Sequence, residues 1–430
     1  MNYIKIILIT LFIPFLLFSQ ESNFEKSAKL EKAAFADYSK KNYDSFLTNM
    51  KEAEKLRPNH PRLLYNLAAA YSLNNYRKDA LSELKKLVNM KLYFQPEKDS
   101  DFVDLWNDIE FKDIITGFDK NLIHTGNSIT AFTYPQKDLI TESVAYDSKK
   151  NKFYLSSVYR KMIVSIDSNG NASIFKNEGE DGLWSALGIK VDSQRRLLWA
   201  CTAAIKQTRN YKKEDLGKTA VYKYNIDSKK LIKKYELDNK PDRHLFGDLA
   251  LSTSGNVYVS DSWYNAIYKI PVDSDSLEIF IQPEGFVSLQ GLDLSQNNKF
   301  LFFSDYALGL FKINFETNEI KEIQPTEDFT SLGIDGLYFY NNSLIATQNG
   351  VNPQRTVRIY LNDNMDSTTN YKILESNNPY FDEITLGLII KDDFYFIANA
   401  QWGSFDKEGK IFPLEKLKEP RVLKIKLTED

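Results

Sequence analysis

The sequence predicts a six-bladed β-propeller, all-β, preceded by an all-α helical segment. Three observations carry this. The stretch from Asp248 to Ile270 alternates short runs of β-branched and aromatic residues with tight turn signals, which describes a small antiparallel sheet and no helix. The same unit recurs when the chain is aligned on the residue before a Gly, or a small or polar stand-in, and an aliphatic: Glu142, Leu187, Gly247, Gln290, Asp335 and Leu386, at spacings of 45, 60, 43, 45 and 51 residues. Each copy leads into a turn and a second strand (KFYLSS, LLWACT, VYVSDS, LFFSDY, LIATQN, FYFIAN). Sheets of this length cannot bury both faces alone, so six of them close into a ring.

In chain order, Lys5 precedes an apolar run from Ile6 to Phe18 that contains Pro14 and ends at Ser19-Gln20. Thirteen apolar residues are short for a bilayer span and have the shape of a secretory leader, so residues 1–19 are expected to be a signal peptide and the mature protein periplasmic or secreted, with no membrane span left after cleavage. Net charge is −3, which leaves no basic face for phosphates and argues against a nucleic-acid partner. Cys201 is the only cysteine, so no intramolecular disulfide exists. It falls in a hydrophobic strand and is expected to be buried and inert.

From 24 to 121 the period is helical. Ala33, Ala34 and Tyr38, then Phe46, Met50 and Ala53, then Leu64, Leu67, Ala68 and Tyr71, then Ala80, Leu84 and Leu87 follow one-face spacing. Tyr38 to Tyr43 matches Tyr71 to Tyr76 at an offset of 33 residues, and Pro58 closes the first pair. This two-helix repeat resembles the tetratricopeptide repeat, which would give two repeats, a capping helix over Phe102 to Phe118, and a surface for a protein partner.

The propeller region is expected over 128–430. Ile129 to Tyr134 reads as an extra strand that completes the sixth blade and removes its open edge. Asp261 and Asp305 each end an aromatic strand, where a carboxylate collects backbone N–H groups and fixes the turn. The segment Val259 to Ile267 resembles the NHL-repeat pattern in this respect.

The six aligned positions begin the innermost strands, which converge on the axis. Glu142 and Asp335 with the amide of Gln290 would present hard oxygen donors from separate blades, the chemistry Ca²⁺ prefers. The other reading is a wet channel in which two like charges raise one another's pKa. Leu187, Gly247 and Leu386 at the remaining positions speak for a ring without ligands. Trp184, Trp263 and Trp402, with Gln348, Asn399 and Gln401, end strands near one face and are read either as a rim of aromatic surface and amide donors around a small molecule or as wedges between blades. His244 is read as a loop residue held by hydrogen bonds, or as an acid–base residue at the channel mouth.

The opening Glu142-Ser-Val-Ala-Tyr-Asp147, the SQNNKFLFFSD segment after Gln290-Gly-Leu, and Asp335-Gly336-Leu337 resemble the senescence marker protein (regucalcin) and gluconolactonase family, within the wider group that includes paraoxonase and strictosidine synthase. The resemblance runs from about Thr130 to the C-terminus. It implies one channel metal, Ca²⁺ or Zn²⁺, held by Glu142, Gln290 in place of the family's Asn, and Asp335, which is also the general base of lactone hydrolysis. The family's substrate-contacting Asn is replaced here by Gly247, with Asp248 beside it as a substitute. The expected function is therefore a metal-dependent lactone or ester hydrolase acting on a small molecule. The alternative is a non-catalytic ligand-binding or interaction scaffold, and fold alone does not choose between them.

Overall fold

A computed structural model describes residues 21–274 and 276–428; the predicted leader lies outside the described residues. Four helices come first: α1 (Asn23–Ser39), α2 (Tyr43–Leu56), α3 (Pro61–Leu73) and α4 (Arg77–Asn89). Ser22 and Glu25 form a reciprocal capping box on α1, and Asn42 caps α2. The expected helix over Phe102 to Phe118 is divided. Ser100–Leu105 is a 3₁₀ turn, and α5 (Ile109–Asn121) starts afresh because the Asp108 carboxylate accepts the N–H groups of Glu110 and Phe111.

Among the described residues the strands of the second region form six sheets, and their connectivity is that of a six-bladed propeller. The inner strands are Val144–Asp147, Ser185–Asp192, Phe246–Leu251, Leu289–Leu294, Ile334–Tyr340 and Gly387–Ile390, in blades 1 to 6. Blade 6 supplies three strands of its own, and Ile129–Thr133 pairs with Arg421–Lys426 as its fourth. The ring is thus fastened by the strand that precedes blade 1, as the sequence predicts. Thr125–Gly126 adds a further outer strand to blade 5.

Six apolar clusters lie between successive blades. Tyr222 and Tyr224 pack with Tyr154 and Phe175 between blades 1 and 2; Ile397 and Val422 pack with Leu155 and Val164 where blade 6 meets blade 1. Each blade buries both faces only against its neighbours, which is why the sheets do not stand alone. Cys201 is fully buried in the cluster between blades 2 and 3, and burial raises its thiol pKa.

The helices rest on the propeller. Tyr93 donates its N–H to the Asn352 carbonyl at 2.7 Å, and Arg57 reaches the Ala307 carbonyl at 3.2 Å. Arg355 of blade 5 is fully buried and donates to the carbonyl of Met90, at the end of α4, and to the side chain of Gln348. The Met90 carbonyl is one of the acceptors that a helix C-terminus leaves open, so the buried guanidinium completes the helix as it joins the two regions. No helix among the described residues is long and apolar enough to cross a membrane.

Candidate functional site at the propeller axis

The inner strands of blades 2 to 5 all slip register at the aligned position. The slips fall between Ala186 and Ile189, Phe246 and Leu249, Leu289 and Leu292, and Ile334 and Gly336. A bulge there breaks the in–out alternation of the strand and re-aims the residue it contains. The small residue that follows has its own reason. A Cβ on Gly291 would lie 2.4 Å from the Asp335 carbonyl oxygen, and one on Gly188 would lie 2.7 Å from that of Gly247. Adjacent inner strands approach too closely for a side chain, so the Gly that allows the alignment in the sequence is the Gly that lets the blades converge.

All six aligned residues, Glu142, Leu187, Gly247, Gln290, Asp335 and Leu386, line one axial cavity of about 200 Å³. Asp248, Trp263 and Trp402 line it too. Glu142 accepts a hydrogen bond from Trp402 Nε1 at 2.8 Å through Oε2. Burial, and then the nearby charge of Asp335, holds the Glu142 carboxyl well above its ordinary range. Asp335 accepts from Asn349 Nδ2 at 2.8 Å through Oδ2. Burial pushes its pKa up to about 7, against the pull of that hydrogen bond. Burial and the neighbouring acid thus both favour the protonated form of Glu142. Gln290 donates its amide to Ser288 Oγ at 2.8 Å, which leaves its carbonyl oxygen as a donor atom toward the cavity.

Asn349, Tyr306 and Glu383 complete the surroundings. Asn349 is held by Tyr306, whose hydroxyl donates to its Oδ1 at 2.9 Å, and by its own bond to the Ile384 carbonyl at 2.9 Å. Glu383 lies near enough to raise both Glu142 and Asp335, and burial raises its own carboxyl. Asn349 follows a strand end that repeats in every blade, so its place was readable; Tyr306 and Glu383 lie in connections with no repeat to mark them.

Four expected substrate contacts are corrected. His244 is absent from the cavity lining: its Nδ1 bonds Asp261 Oδ2 at 2.7 Å and its ring lies 4.8 Å from that of Tyr264, so it braces a turn. Gln348 is fully buried, donating to the carbonyls of Thr330 and Leu332 and accepting from Arg355. Asn399 clasps the Glu419 carbonyl and the Arg421 N–H, and Gln401 the carbonyl and N–H of Lys418. These amides close loops whose backbone groups are otherwise orphaned. Trp184 packs against the cluster between blades 1 and 2, the wedge reading. Trp263 and Trp402 do reach the cavity.

Among the described residues no group of three or more His, Cys, Asp or Glu side chains is arranged to hold a metal ion. The hard oxygen groups among the lining residues are the carboxylates of Glu142, Asp248 and Asp335 and the carboxamide of Gln290, each from a different blade. That set fits Ca²⁺ better than Zn²⁺, which favours nitrogen and sulfur.

No protein-family model matches the chain, and neither does any curated protein. Solved structures are similar in shape. A gluconolactonase from Xanthomonas campestris aligns at 11% identity and TM-score 0.48, covering 70% of this chain and 91% of that one. A luciferin-regenerating enzyme aligns at 12% and 0.48, covering 70% and 95%. A virginiamycin B lyase from Staphylococcus aureus aligns at 15% and 0.46, covering 71% and 100%. At these identities and scores they add no argument about chemistry; the six-bladed architecture stands on the sheets themselves.

Proposed function

We propose that the axial cavity is the active site of a metal-dependent lactone or ester hydrolase. The observation that supports this most is the pair of buried acids, Glu142 and Asp335, brought from blades 1 and 5 to one cavity. Glu142, Gln290 and Asp335 would hold Ca²⁺. When bound there, the ion supplies Lewis-acid polarisation of the substrate carbonyl and offsets the mutual repulsion of the acids. Asn349 occupies one oxygen of Asp335, so the other is left for the ion or for a proton of the attacking water. Trp402 fixes Glu142 in the same way. Leu187, Leu386 and Trp263 contribute the apolar part of the cavity wall.

Elemental analysis of purified protein tests this. Near-stoichiometric Ca²⁺ is expected, abolished by Glu142→Ala and by Asp335→Ala, with hydrolysis of small lactones or aryl esters lost in both. Metal-free protein showing no thermal shift with added divalent ions would sink the reading. For the helical region we infer a tetratricopeptide-like repeat, supported by left-handed residues at Lys41 and Asn75 in the turns of the two pairs. Export by the predicted leader is part of the same proposal.

A further inference from the structure

A second cavity, of about 690 Å³, lies where the helices rest on blades 4 and 5. That volume is in the range of sites that take a small organic molecule. Phe24 of α1 with Leu92 and Phe94 after α4 form its apolar wall on the helical side, and Leu332 and Val351 do so on the propeller side. The same cavity is lined by Arg57, His60 and Arg62, all from the junction of α2 and α3, where Arg57 is the C-cap of one helix and His60 the N-cap of the next.

Glu31 is the one carboxylate that lines this cavity among the described residues, and both arginines use it. Arg62 donates from Nη2 to Oε2 at 2.6 Å, while Arg57 Nη1 stands 3.6 Å from Oε1, an ion pair longer than a hydrogen bond. Arg57 is otherwise held by the Ala307 carbonyl and by the face of Phe24, whose ring centre is 4.8 Å from the guanidinium carbon. Its side chain is only 11% exposed. Asp305, the other acid that acts on it, is saturated by four backbone N–H groups. Two guanidiniums thus share one buried carboxylate, and burial lowers the Arg57 pKa against the pull of Glu31. His60 adds a donor. Its Nδ1 accepts the Leu63 N–H at 3.4 Å, and burial, with the charges of Arg57 and Arg62, lowers its pKa to about 3, so the ring is neutral and carries its proton on Nε2.

We propose that this cavity binds a small carboxylate with an apolar body, its charge at Arg57 and Arg62 and its body against Phe24, Phe94 and Val351. The wall carries a net of one positive charge and is otherwise apolar, which fits a carboxylate better than a doubly charged phosphate. A guanidinium meets a carboxylate with two parallel donors, and the apolar body gains by covering the aromatic wall. The helices then serve the propeller as one side of a ligand site. No residue lines both this cavity and the axial one, so the proposal is independent of the hydrolase reading.

The probe is 2-naphthylacetate against 2-naphthylacetamide, which match in shape and differ in charge, titrated calorimetrically into the full chain at fixed ionic strength in chelator. The carboxylate should bind at least tenfold more tightly than the amide. Arg57→Met should remove that preference, and Arg62→Gln, at a side chain 65% exposed, should cut it at least threefold. Equal binding of the two probes, or a preference that survives either substitution in protein shown to be folded by circular dichroism, would overturn the proposal. If Arg57→Met does not fold, the wild-type comparison and Arg62→Gln decide. A preference that appears only with added Ca²⁺ would also overturn it, by placing the carboxylate on the axial ion. Because the titration runs in chelator, failure of the hydrolase reading leaves its result unchanged.

Discussion

Asp261 and Asp305 at the blade turns and Glu142 and Asp335 at the axis are buried acids in opposite states. Asp305 accepts four backbone N–H groups, from Val287, Ser288, Ala307 and Leu308, and Asp261 accepts three with His244 besides. Each axial acid has one side-chain donor and faces another acid. A carboxylate saturated by backbone donors holds a fold together, whereas one left short of donors beside a like charge is held in place by the fold at a cost. The two kinds of site look alike in the sequence, since all four residues stand at strand ends.

The comparison breaks most sharply at the turns. Asp305→Ala should cost about 3–5 kcal/mol, because it orphans four buried N–H groups at once; urea denaturation at pH 7 measures it. An effect below 1 kcal/mol would mean the turn holds without its carboxylate.

At the axis the sign reverses. In chelator, Asp335→Asn should stabilise the protein by about 1–3 kcal/mol at pH 8. The folded pKa is raised from 3.8 to about 7, so the folded state binds the extra proton between those values and the carboxyl costs stability as pH rises through that window. The gain from the substitution should therefore fade toward pH 4, and thermal melts across pH 4–8 show whether it does. A pH-independent effect would remove the claim of a raised carboxyl.

A smaller effect sharpens the role of the single donors. Trp402→Phe removes the one hydrogen bond to Glu142 while keeping an aromatic ring, and about 1 kcal/mol of stability should go with it. Chemical denaturation in chelator measures that loss. No change there would show that Glu142 is already protonated and indifferent to its donor.

Much of this architecture is legible before folding. The positions Glu142, Leu187, Gly247, Gln290, Asp335 and Leu386 declare themselves by recurrence, because every blade must bring a strand to a crowded axis, and at Gly188 and Gly291 only Gly leaves room for the neighbouring strand. The closing strand at Ile129 and the turn acids are readable for the same reason: edges must be paired and turns need acceptors. The helix over Phe102 to Phe118 was not, since an apolar pattern runs through the Asp108 cap that divides it.

What recurrence cannot carry is the partner of each polar side chain. Gln348, Asn399 and Gln401 sit at strand ends as a ligand-binding amide would, and only the folded chain reveals that loop carbonyls and N–H groups claim them first. Asp248 is the converse case, a carboxylate one residue from the aligned position that the fold buries with Lys190 Nζ 3.9 Å from its Oδ1. The sequence by itself determined the number of blades, how the ring closes and which residues reach the axis, because these follow from periodicity and local chain geometry. The tertiary structure alone decided which of those polar groups are satisfied and which remain free, because hydrogen-bond saturation depends on atoms from distant blades and loops meeting within about 3 Å.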